Sequence, residues 1–93
     1  MKFKILEFML IVGNYIDNIK CESFCDIATN RIRIRPLKGQ GLPLDIVIES
    51  LKEYRDVTKY PLGTVFLAKR VKVCRKDKGR NYLRADKQLL EKL

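Results

Sequence analysis

Residues 64–85, TVFLAKRVKVCRKDKGRNYLRA, constrain the fold of this chain more than any other stretch. Thr64 to Arg75 is rich in β-branched and aromatic side chains, which suit a pleated, half-buried surface and predict a long strand. Lys76-Asp77-Lys78-Gly79 has the composition of a type I turn closed by a left-handed glycine, so the strand is expected to return as Arg80 to Ala85. A lone hairpin is marginal in water, so further strands must join it. Arg31-Ile32-Arg33-Ile34-Arg35 alternates strictly and stops at Pro36, which predicts one such strand, with isoleucine inward and arginine outward.

Elsewhere the apolar spacing is helical. Ile5, Phe8, Met9, Val12, Tyr15, Ile16 and Ile19 recur every three or four residues and predict an amphipathic helix. Gly13 and Asn14 disfavour that helix and leave a strand from Lys2 to Val12 followed by a short helix as the alternative. Leu44, Val47, Ile48, Leu51 and Tyr54 form a second stripe, with Pro43 suited to a first turn and Asp45 to the positive end of the dipole, predicting a helix over residues 43–57. Asp86 is placed to cap a short terminal helix bearing Leu89, Leu90 and Leu93. The expected fold class is therefore α+β: a small antiparallel sheet of three or four strands, including the basic C-terminal hairpin, packed against two or three helices. A small open β-barrel with helices is the alternative. With 93 residues, 46% of them apolar, the chain suits a single domain over 1–93 with one modest core.

Charge is distributed unevenly along the chain. Residues 1–30 carry three lysines and four acids, and residues 31–58 carry six basic and four acidic side chains. Residues 59–93 carry eleven basic and three acidic side chains, so nearly all of the net +9 lies in the last third. Such asymmetry is an argument about polyanionic partners, though not about fold.

Several chemistries lack their residues. There is no histidine, which removes the commonest general acid/base and metal ligand together. Cys21, Cys25 and Cys74 offer three thiols where zinc needs four ligands, and read as reduced cysteines. Asp45, Glu49, Lys52 and Glu53 are the one carboxylate cluster, with the spacing of any solvated helix face. Gly39-Gln40-Gly41 lacks both the dinucleotide and the phosphate-loop patterns and reads as a connection. No enzyme, metal or cofactor is expected. The longest early apolar run, Phe8 to Val12, is too short to span a bilayer, and a cytoplasmic protein without membrane attachment is expected.

The hairpin remains as the working surface. Arg70, Lys72, Arg80 and Arg84, with Lys69 beside them, are expected to converge around Tyr82 on one sheet face, which the Arg31, Arg33 and Arg35 strand could extend. Clustered cations release counterions from phosphates, and a ring among them gives a base a platform. The function expected is a non-catalytic, sequence-tolerant nucleic-acid-binding module, with a single strand as the natural ligand. The rival is a protein-interaction or structural module, a homodimer or an adaptor for an acidic protein partner, whose outward lysines and arginines only guard a solvated sheet. Lys69 leaves the register of the first strand open, because a bulge there would group Phe66, Ala68, Val71 and Val73 on one side.

Overall fold

A computed structural model describes residues 10–77 and 79–93; Ile5, Phe8 and Met9 of the first helical stripe lie outside them. Six strands follow in chain order: β1 (Tyr15–Asp26), β2 (Arg31–Pro36), β3 (Ile48–Glu49), β4 (Val65–Arg75), β5 (Asn81–Ala85) and β6 (Glu91–Lys92). Two short 3-10 turns, Lys52–Arg55 and Asp86–Gln88, interrupt them, and no α-helix occurs among the described residues. The α+β expectation of a sheet packed on helices is thus overturned. In its place one sheet, ordered β2-β1-β4-β5-β3, curls until its two end strands approach and forms a nearly closed barrel. β4 is its spine: β1 pairs along one edge, while β5 and then β6 occupy the other.

Where helices were expected, each failure has a local cause. In residues 43–57 the buried side chains are Ile46, Ile48 and Ser50, a period of two, followed by Tyr54, while Leu44 and Leu51 are exposed. Ile46-Val47-Ile48 is a run of β-branched residues, which loses rotamer freedom in a helix and fits an extended segment. This segment docks by parallel pairing of Ile48 with Leu83 and by the Leu83 amide donating to the Val47 carbonyl at 2.8 Å. The terminal helix is cut short because Lys87 and Gln88 take left-handed φ values of 53° and 57°, after which β6 returns to β4 and only Leu90 of the three leucines is buried.

The hairpin strands and the Arg31–Arg35 strand form where the pattern placed them. At the turn the Gly79 amide donates to the Lys76 carbonyl at 3.3 Å. In β4 the buried side chains are Phe66, Ala68, Val71 and Val73, the grouping that a bulge near Lys69 requires. The core gathers around Phe66, against which the rings of Tyr54 and Tyr60 lie edge-on at 5.4 and 5.2 Å. Cys21 is sealed in the same core and donates to the Phe66 carbonyl at 3.5 Å; burial pushes its thiol up to about 12, partly offset by a hydrogen bond from the Ala68 backbone.

The Gly39-Gln40-Gly41 loop has a structural role. Beyond Pro36, Leu37 donates its amide to the Lys20 carbonyl at 2.9 Å, and the Gln40 side chain then bonds both the amide and the carbonyl of Lys20 at 2.8 Å. A carboxamide here stands in for one residue of strand pairing, continuing β2 past the proline.

Candidate nucleic-acid interface

Strand pairing brings carboxylates from earlier in the chain against the basic last third. β1 lies on β4, so Asp17 meets Arg70 at 3.6 Å, and β3 lies on β5, so Glu49 meets Arg84 at 3.6 Å. Lys69 is held by Glu91 of β6 at 2.9 Å and Arg80 by Asp45 at 3.4 Å. On β2, Arg35 pairs with Glu22 at 3.0 Å. Arg33 Nε sits 3.1 Å from Asp26 but without an aligned hydrogen bond. Of the eight cations expected to form the surface, only Arg31 and Lys72 have no carboxylate within ion-pair distance among the described residues.

The expected residues also divide between two places. Arg70, Lys72 and Arg84 stand on the outer face of the sheet, and Lys69 is turned to Glu91. Arg33, Arg35, Arg80 and Tyr82 instead line a groove of 970 Å³ that runs along the seam between β2 and β3. Phe24 enters the groove from the β2 side, with the Arg35 guanidinium 4.3 Å from its ring centre, and Tyr82 from the β3 side, with Lys76 Nζ at 5.6 Å. Partial desolvation first, then the neighbouring Cys74 and Glu49, raise the Tyr82 phenol above its usual range, so the ring is neutral at physiological pH.

Arg55, on the 3-10 turn, lines this groove and also an adjoining cavity of 650 Å³ shared with Arg31 and Lys52. The acids beside that second cavity are engaged already: Glu53 binds Lys59 at 2.6 Å, and Asp56 accepts the Thr58 amide and hydroxyl at 2.9 and 2.6 Å. The Thr58 side-chain hydrogen bond leads in holding the Asp56 carboxyl below its ordinary range, and the Glu53 hydrogen bond leads in holding Lys59 above its own. Arg31, Lys52, Arg55 and Lys76 therefore form a track of cations with no carboxylate partner among the described residues.

Sequence reasoning missed Phe24, Lys52, Arg55 and Lys76 as site residues. Phe24 lay in a stretch with no assigned element, Lys52 was read as part of the solvated face of a helix that does not form, and Arg55 fell inside that same expected helix. The supposed carboxylate cluster is dispersed, since Asp45, Glu49 and Glu53 each face a different cation. All three cysteines are free, and among the described residues no group of three His, Cys, Asp or Glu side chains is placed to hold a metal. No helix among the described residues is long and apolar enough to cross a membrane. Neither a protein-family model nor a curated protein nor a solved structure matches this chain.

Proposed function

We propose that the protein binds single-stranded nucleic acid with little sequence preference, in the groove at the β2–β3 seam. The observation that carries this reading is the arrival of two aromatic rings, Phe24 and Tyr82, from the two sides of one groove whose neighbouring cations Arg55 and Lys76 have no carboxylate partner among the described residues. Phosphates take up those cations and release counterions, while bases stack on rings in a way every base permits. An acidic peptide would use the cations alone and leave both rings without a purpose, which favours nucleic acid over the protein-adaptor reading.

The test is a titration of labelled oligothymidylate against the protein, with polyglutamate as competitor, repeated over a range of salt. If the four cations of the track are neutralised, log K falls against log[salt] with a slope of about −2.8, or roughly fifty-fold between 50 and 200 mM. Preference for polyglutamate over the oligonucleotide at matched charge would hand the groove to an acidic protein partner.

A further inference from the structure

We infer that Tyr15 is a second base-stacking position, on the outer face of the sheet, reached by the same nucleic-acid strand that fills the groove; this rests on the groove reading. The strand ladders place Tyr15 opposite Lys72, Lys72 opposite Arg84 and Arg84 opposite Glu49, a single row across β1, β4, β5 and β3. Glu49 lines the groove, so the row begins at its lip and ends at Tyr15. Tyr15 is 53% exposed and contributes nothing to the core, yet the Arg70 guanidinium lies 4.2 Å from its ring centre and the Lys72 ammonium 5.9 Å away.

The charges along this row are available to a ligand. Lys72 has no carboxylate partner among the described residues, and the pairs Arg70–Asp17 and Arg84–Glu49, both 3.6 Å, are the longest of the described ion pairs, the others lying at 2.6–3.4 Å. Exposed ion pairs of this kind are weak, so phosphates can exchange for the carboxylates at little cost. Two strand spacings and one two-residue step separate Tyr15 from Tyr82, about 12 Å, within reach of one strand of the ~4–16 nucleotides that small barrels engage.

The experiment uses two probes, oligothymidylates of about 4 and about 12 nucleotides, the first able to occupy the groove alone. Tyr15→Leu is expected to weaken the long probe by roughly five- to hundredfold and leave the short one unchanged, whereas Tyr15→Phe keeps the long-probe affinity because the ring persists. Lys72→Ala is expected to flatten the salt slope by about 0.7 for the long probe only. Should Tyr15→Leu fail to fold, Lys72→Ala decides by itself, since its side chain is exposed. Wild-type protein that binds neither probe overturns the groove reading and this one together. Wild-type binding of both probes, lost with Tyr82→Leu but untouched by Tyr15→Leu and Lys72→Ala, overturns the second position and leaves the groove standing. Equal weakening of both probes by Tyr15→Leu also overturns it, because the ring then belongs to the groove.

Discussion

Ile19 of β1 lies directly across the ladder from Ala68 of β4, and both face the core, although Ile16 and Val71 three positions away on the same strands face it too. A regular strand turns such residues to opposite faces, since its side chains alternate. The resolution lies at Asn18, whose φ of 55° inserts a left-handed residue into β1, matched on β4 by the consecutive exposed pair Lys69 and Arg70. The register offset is the same on both sides of the kink, Asp17 with Arg70 and Ile19 with Ala68, with no ladder pair at Asn18 itself. Both strands therefore change face together, which sharpens the curl that brings β2 towards β3.

Asparagine tolerates that conformation and a β-branched residue does not. Asn18→Gly is expected to leave stability within about 0.5 kcal/mol of wild type, and Asn18→Val to cost about 1–2 kcal/mol. Urea melts of the two variants check this, and equal midpoints would show that the left-handed residue is not required.

The same kink explains what was and was not legible in the sequence. β2 was readable from its strict alternation, β4 from its β-branched and aromatic content, and β5 from the turn composition that precedes it. Ile16 and Ile19 imitated a helical stripe because a strand with one left-handed residue can space its buried side chains three apart. Ile46-Val47-Ile48 fits either period, and only docking on Leu83 settles it. At the site, counting charge along the chain found the cations but not their carboxylates, which arrive from β1, β3, β6 and the turn at Asp45 before β3.

Burial now assigns the cost of truncation differently from a helical reading of residues 43–57. Leu83 is fully buried in the core, and Leu83→Ala is expected to cost about 2–5 kcal/mol. Leu51 is 37% exposed, so Leu51→Ala is expected to cost under about 1 kcal/mol. Denaturant unfolding of the pair distinguishes the barrel from a helix that would bury Leu51.

Cys21 couples stability to alkaline pH. Its thiol titrates near 9.0 in the unfolded chain and is pushed up to about 12 in the core by burial. Below pH 9 both states hold the proton; between 9 and 12 the unfolded chain releases it while the folded chain does not, so stability falls as pH rises through that window. The stability advantage of wild type over Cys21→Ala is expected to narrow by about 1 kcal/mol between pH 8.5 and 10. An alkylating reagent at pH 8 is expected to modify Cys25 and Cys74 and spare Cys21 until the protein unfolds.

Glu49 offers the sharpest test of how charge is used at the seam, because it lines the groove and also holds Arg84 at 3.6 Å. In the proposed complex it repels the incoming phosphates and occupies a cation they could use. Glu49→Gln removes the charge with nearly the same shape, and is expected to tighten oligothymidylate binding several-fold at about 50 mM salt, with the gain shrinking as screening increases. Lys76→Ala and Arg55→Ala act in the opposite sense: each removes a cation with no carboxylate partner among the described residues, and each is expected to flatten the salt slope by about 0.7. Arg84→Ala is expected to flatten it by less, because its removal also frees Glu49. The order of these four variants is the discriminating measurement. If Glu49→Gln weakens binding, the carboxylate orders Arg84 for the ligand instead of competing with it, and the ion pairs around the groove are part of the recognition surface.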